Sequence, residues 1–386
     1  MITGFSVQYA GYIDMDQVGY EGIAVNDRWF PNERLIEVFG NALELAQLAE
    51  RLGYHSMWTA EHHFQREGYE CVPNVLLLNV YLAARTTSLK FGCGFNITPM
   101  WHPLRLAEDF AMADILTNGR VIFGVGRGYH TREVETFGAP MLDSEANREL
   151  FEEQVEIMLK AFHQETFSHQ GKSYTLPPQV PYRSYHLRDL TLVPRPLRRP
   201  VEVWQPLVSG SPRGVDFMVR NGIRGVIAPT SMQHLDDWMH LYRDTATRYG
   251  QKLQLGEQLA LSFRLHLADT KEQAIRDARP YFEEQVKFFA PLHVIPLGEE
   301  QLRTLAHPTA DTMSVLPQVE DSVRQRNWLC GTPDDAIGFL QDLEAKYPGV
   351  ERVIVSFAMG TPQVVCRQQL TRFAQEVMPA FSRRPN

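Results

Sequence analysis

Two neighbouring histidines beside a carboxylate, in Trp58-Thr59-Ala60-Glu61-His62-His63-Phe64, are the residues of this sequence best equipped for proton chemistry. A histidine titrates near neutrality and a glutamate can orient it, so Glu61, His62 and His63 form a candidate general base with its partner. Joint metal chelation is the poorer reading. On an extended chain residues two apart share a face, whereas neighbours such as His62 and His63 point apart. A hydrogen-bonded structural histidine is the other alternative.

Three further runs suit a ligand with a phosphate and a flat body. In Phe123-Gly124-Val125-Gly126-Arg127-Gly128-Tyr129 the glycines permit close backbone approach, and Arg127 offers a fork of donors. The run mimics a dinucleotide fingerprint but lies outside the first βα unit, where that fingerprint belongs. A tight turn with a surface arginine would look the same. In Val208-Ser209-Gly210-Ser211-Pro212-Arg213-Gly214, Ser211 can cap a helix with Pro212 in its first turn. Backbone N–H groups, two hydroxyls and Arg213 would then form a cup for an anion, or simply a capped helix. In Gly92-Cys93-Gly94-Phe95-Asn96-Ile97-Thr98-Pro99 small residues leave room for a planar ligand and Asn96 could bond its edge; core packing and a turn explain them equally well.

Those residues need a frame that brings them together. Runs rich in Val, Ile, Leu and Phe recur at Gly4–Tyr9, Ser56–Ala60, Leu89–Phe95, Val121–Val125, Val201–Gln205, Gly225–Ala228, Leu259–Leu267 and Arg352–Phe357. Their continuous apolar character suits strands buried on both faces of a parallel sheet. Helical spacing fills the intervals. Leu35, Phe39, Ala42, Ala49 and Leu52 form one stripe ended by Gly53, and Leu104, Ala107, Ala111 and Ile115 form another ended by Asn118-Gly119. Phe110, Met112, Ile115 and Leu116 read as core or a helical dimer face.

Eight βα units predict an α/β chain, a (β/α)8 TIM barrel as one domain over residues 1–386, with a doubly wound open sheet as the alternative. Three connections are too long for simple loops. They are expected as insertions near 11–33, 164–200 and 290–327 on the C-terminal face, where barrel enzymes build their sites, with 290–327 as a lid. Tyr12, Tyr20, Trp29 and Phe30 in the first insertion suit a bulky apolar substrate or a lid packed on itself.

Composition narrows the partners. With 38 Lys and Arg against 46 Asp and Glu, the 386-residue chain carries a formal charge of −8, which disfavours nucleic acid and an anionic membrane surface. Cys71, Cys93, Cys330 and Cys366 are scattered without a CxxC pair, as in a reduced cytoplasmic protein without a zinc site. The start, MITGFSVQYAGYIDMD, lacks the pattern of a signal peptide, and the longest nearly apolar run, Val75 to Ala84, is far short of the ~20 residues of a membrane span. The expectation is a soluble cytoplasmic enzyme without a metal.

Together these segments resemble the bacterial-luciferase-like family of flavin-dependent monooxygenases. The likeness is carried from Trp58 to Gly138 by WTAEHHF, FGCGFNITPMWHPLRLAEDFAMADILTNGR and FGVGRGYHTREVETFG, and more weakly to the end by PVEVWQ, SGSPRG, CGTPDDAI and VIVSF. The resemblance implies FMN, bound as FMNH2 delivered by a separate flavin reductase, with O2 as co-substrate reacting at flavin C4a to oxygenate a small organic molecule. It implies His62 as catalytic histidine with Glu61 and His63 beside it. Arg127, in the same motif as Tyr129, would hold the flavin phosphate together with Ser209, Gly210 and Ser211. Gly94, Phe95 and Asn96 would line the isoalloxazine, with a non-prolyl cis peptide at Gly94–Phe95, and Glu133 would lie near the ring. A homodimer through the helices after the second and third strands is also implied. Gly126 stands where light-emitting members have a cysteine, which counts against bioluminescence. The competing readings are an F420-dependent oxidoreductase of the same fold, a non-catalytic flavin-binding protein, and a metal-dependent hydrolase.

Overall fold

Eight parallel strands form the frame: β1 (Gly4–Tyr9), β2 (Ser56–Thr59), β3 (Lys90–Cys93), β4 (Val121–Gly126), β5 (Val203–Pro206), β6 (Arg224–Ile227), β7 (Leu259–Leu267) and β8 (Arg352–Ser356). In the computed structural model, which describes residues 1–308 and 313–381, each strand hydrogen-bonds to the next, β8 pairs with β1, and the ring closes. The chain is a (β/α)8 barrel, as its eight apolar runs predict. Every residue of β2 and β4 is buried, because helices cover one face and the barrel contents the other.

The longer helices are α1 (Glu37–Arg51), α2 (Val75–Ala83), α3 (Pro103–Leu116), α4 (Ser144–His163), α5 (Pro212–Arg220), α6 (Met232–Arg248), α7 (Lys271–Phe289), α8 (Pro333–Lys346) and α9 (Gln363–Arg372). Pro103 opens α3, and Asn118 and Gly119, both at positive φ, follow its end. The buried face of α3 is Leu106, Ala107, Phe110, Ala111 and Ala113, so the expected stripe is turned: Met112, Ile115 and Leu116 face outward. None of the described helices is long and apolar enough to cross a membrane.

Inward-pointing side chains fill the barrel in layers. Trp58, Ile122, Trp204, Val226, Ala260 and Ile354 pack as a floor, with the two indoles edge to face at 5.8 Å. Gly92 belongs to this packing and not to a ligand: a Cβ there would sit 2.3 Å from the Trp58 ring. On β7 the alternation sends Leu261, Phe263 and Leu265 outward into the helix layer, while Ala260 joins the floor and Ser262 and Arg264 face a cavity above it.

The insertions differ in place and order. Residues 11–33 reach the cavity through Tyr12 and are fastened to α7 by buried charges. Glu284 pairs with Arg28 (3.1 Å) and Lys287 (2.7 Å), and accepts from Gly19 N (2.9 Å) and Tyr69 OH. The stretch 164–200 follows a helix, not a strand, and so misses the expected C-terminal face. It runs along the outside of α3 and α4: Gln154 donates to Tyr174 OH, Leu197 N donates to Asp114 near the end of α3, and none of its residues lines the cavity. The stretch 290–327, read from sequence as a lid, carries helices at Glu299–Ala306 and Val319–Arg324; residues 309–312 lie outside the described residues. Beyond it, Trp328–Gly331 pairs with the upper half of β7, which explains that strand's length.

Candidate active site

One cavity of about 670 Å³ opens above the floor, at the C-terminal ends of the strands. Glu61, His62, Gly94, Phe95, Arg127, Tyr129, Ser209 and Ser211, scattered over the sequence, all line it.

His62 follows β2 and is 5% exposed. Its Nδ1 lies 3.2 Å from Glu133 Oε2, and its Nε2 lies 3.1 Å from Tyr129 OH. Tyr129 OH in turn donates to Glu70 at 2.9 Å, and Glu70 Oε2 is 3.2 Å from His130 Nε2. Gln65 donates to the far carboxylate, Glu133, at 2.9 Å. Burial alone would lower the His62 pKa; the Glu70 charge, the bond to Glu133 and the charges of Glu133 and Glu61 outweigh it and raise it. Glu133 is held low in return, its burial overcome by His62 and His130. His62 therefore holds its proton more firmly than a free imidazole does, and when protonated it donates from both ring nitrogens. Ligand atoms of His62, Glu70 and His130 lie within 4.8 Å of one another. That is close enough to share a cation, but the hydrogen bonds just named account for their placement.

His63 is not part of this set. Neighbouring on an extended chain, it points the other way, packs against Phe137 at 4.8 Å and bonds Glu61 at 3.2 Å, outside the cavity. Glu61 is a brace: it accepts from Ile97 N and the Trp101 indole, each at 2.8 Å, and so holds the turn after β3. That turn presents Gly94 and Phe95 to the cavity through a cis peptide, as the family resemblance implied. Asn96 is turned away. Buried beneath, it donates to Gly124 O at 2.7 Å and ties the turn to β4.

The cationic end lies between β4 and β5. Arg127 donates through Nε to Asn147 (2.8 Å) and through Nη2 to Ser144 O (2.9 Å), neutral partners that fix it without cancelling its charge. Arg148 on α4 lines the same wall, and no carboxylate among the described residues lies within 4.0 Å of either guanidinium. Burial, then the nearby Arg148, works against the Arg127 charge. Ser211 caps α5 with Pro212 in its first turn, so Ser209, Ser211 and the helix N-terminus face those arginines. Arg213 is turned outward, paired with Glu145 and Glu152. Gly210 does not line the cavity; at φ +53°, a Cβ on it would meet the Trp238 indole at 2.2 Å.

Two buried atoms on the wall, Gln205 Oε1 and Ser262 Oγ, have no hydrogen-bond partner among the described residues. A ring edge carrying N–H and C=O groups would satisfy them, and the arginine cup would take a phosphate. The residues present thus fit a phosphorylated flavin. Sequence reasoning missed Glu70, His130, Arg148, Gln205, Ser262 and Arg264. A signal existed for three: His130 adjoins Tyr129 in the glycine motif, and Ser262 and Arg264 alternate with apolar residues on the strand Leu259–Leu267.

Comparison with known proteins agrees with this geometry. Residues 21–348 match the family model described as luciferase-like monooxygenase. The oxygenase component of flavin-dependent trigonelline monooxygenase from Acinetobacter baylyi is 26% identical over 358 residues, 90% of this chain and 91% of that protein. Among solved structures, the oxygenating constituent of 3,6-diketocamphane monooxygenase from Pseudomonas putida, in complex with FMN, superposes with a TM-score of 0.72 at 19% identity, covering 98% of this chain and 99% of that one. An F420-dependent secondary alcohol dehydrogenase shares the fold with a TM-score of 0.66 at 15% identity, each chain fully covered (100%). This chain belongs to the luciferase-like monooxygenase family.

Proposed function

We propose that this protein is an oxygenase that uses reduced FMN, delivered by a separate flavin reductase, together with O2 to oxygenate a small organic molecule. The observation that carries this reading is one cavity with an unneutralised arginine cup at one side and a proton-bearing histidine at the other. The relative named as an oxygenase component supports the separate reductase.

Reduced FMN, when bound, supplies the electrons that activate O2. The protein supplies position and protons. Arg127 and Arg148, with Ser209 and Ser211, would hold the phosphate; Gly94 and Phe95 would leave room for the ring, and Gln205 and Ser262 would bond its polar edge. Tyr12, Phe289, Leu292 and Val294 give the roof an apolar lining that keeps bulk water from the reaction. His62 holds a proton at Nε2, fixed by Glu133 through Nδ1, and Tyr129 OH links it to Glu70 for return of that proton. Leu77 and Tyr81 on α2, with Met112 and Leu116 on α3, are exposed apolar residues that support pairing of two copies through these helices. A monomeric mass in sedimentation would sink that pairing.

The deciding experiment mixes the protein with reduced FMN under air and follows oxygen uptake and flavin absorbance, with reduced F420 in parallel. Saturable binding of FMN with oxygen uptake is the expected result. Binding of F420 with no response to oxygen would move the protein to the hydride-transferring members of the fold.

A further inference from the structure

The cavity has a second cationic pole that the phosphate cup does not explain. Arg264 enters from β7, three strands round the ring from β4, which Arg127 follows. Its Nε donates to Gln285 Oε1 and its Nη1 to Ser356 Oγ, each at 2.9 Å, while Nη2 donates to none of the described residues. No described carboxylate lies within 4.0 Å of it. The nearest acidic influence is Glu70, already engaged by Tyr129, His62 and His130. The buried Arg28 and Lys287, by contrast, are both paired with Glu284. A half-buried guanidinium clamped by neutral partners, with one nitrogen left without a protein acceptor beside a cavity, keeps its charge for a counter-ion that arrives with a ligand.

We propose that Arg264 receives the carboxylate of the organic substrate, which is therefore an apolar-bodied monocarboxylic acid. Building on the flavin reading above, the FMN phosphate occupies the Arg127 pole, and one phosphate cannot reach both sectors. A single open donor edge, with Glu70 beyond it, suits a monoanion and disfavours a dianion such as a second phosphate. The same cavity is lined by Tyr12, Phe289, Phe357 and Met359, which suits a hydrocarbon or aromatic body.

The test titrates FMN-loaded protein with benzoate, nicotinate and cyclohexanecarboxylate, and with their neutral amides, following the visible spectrum of the bound flavin. The same panel is run on flavin-free protein by calorimetry. At least one acid should bind about tenfold or more tighter than its amide. Arg264→Gln should abolish that preference while leaving FMN affinity unchanged, and Arg264→Lys should restore part of it, which shows that the fold survives. Acids and amides binding alike, no member of the panel binding, or Arg264→Gln weakening FMN instead would each overturn the assignment. Arg264-dependent binding of an acid to protein that takes no FMN would leave this inference standing and remove the flavin reading.

Discussion

At the floor of the barrel Glu202 accepts from the Trp204 indole at 2.7 Å and pairs with Arg352 at 2.8 Å and Arg224 at 3.6 Å, and both guanidinium groups lie over the Trp204 ring. At the mouth Arg127 and Arg264 are gripped by Asn147, Ser144, Gln285 and Ser356, none of which carries a charge. Both ends use arginines on or beside the barrel strands. A charged partner satisfies a cation and ends its reach, whereas a neutral one fixes its direction and leaves its field for a ligand. The histidines flanking β2 follow suit. His55, at the floor end, faces Arg352 and Lys90 and is lowered to about 4, by burial first and those charges next; His62, at the mouth, is raised by carboxylates.

The largest test of this contrast is His62→Asn, which keeps the volume near Glu133 but removes a titratable proton. Product formation in the reductase-coupled assay should fall about 100-fold or more, the usual scale of general acid–base catalysis, with hydrogen peroxide released in place of product and FMN affinity little changed. Full turnover in this variant would place the proton donor elsewhere.

Next in size is Arg127→Ala. Loss of charge-assisted contacts to a phosphate should weaken FMN about tenfold to a hundredfold by fluorescence titration, with little change in melting temperature because no counter-charge is left behind unpaired. Glu202→Gln is its mirror image. It leaves Arg352 and Arg224 without their shared counter-charge, and the side chain is 36% exposed, so screening limits the loss to about 1 kcal/mol in a urea titration; FMN affinity should not move. Equal effects on stability from both variants would erase the distinction between the two ends.

The barrel was legible because its strands are short apolar runs and its helices carry ordinary stops such as Gly53 and Asn118-Gly119. The arginine and serine motifs were legible because backbone approach to an anion needs glycine and a capped helix. The roles of neighbours were not. Glu61 and Asn96 have the chemistry of site residues, yet they brace the turn after β3, a matter of which donors the fold brings within reach. Glu70 and His130 reach His62 through Tyr129 only after residues 64–72 fold back across the mouth. The segment 164–200 was assigned to the mouth through the strand before it, though a helix intervenes and redirects the chain. Local pattern records the elements; tertiary contact decides which polar groups stay open.

The smallest expected effect is on the pH dependence of stability, and there the two histidines should act in opposite directions. His55 has a folded pKa of about 4 against an ordinary value of 6.5, so between those limits the unfolded chain takes up a proton that the native protein refuses. Its contribution is complete above pH 6.5 and is lost as pH falls toward 4, and solvent screening of this half-buried side chain keeps the limb shallow. His62, raised when folded, binds its proton more tightly in the native state. Its contribution is complete below pH 6.5 and is lost as pH rises through the folded pKa. Melting temperature against pH should therefore show an acid limb that flattens in His55→Gln and an alkaline limb that flattens in His62→Gln. The first variant should leave FMN affinity unchanged. A single limb, or one that either substitution flattens equally, would mean that the charges around β2 are not divided between floor and mouth in this way.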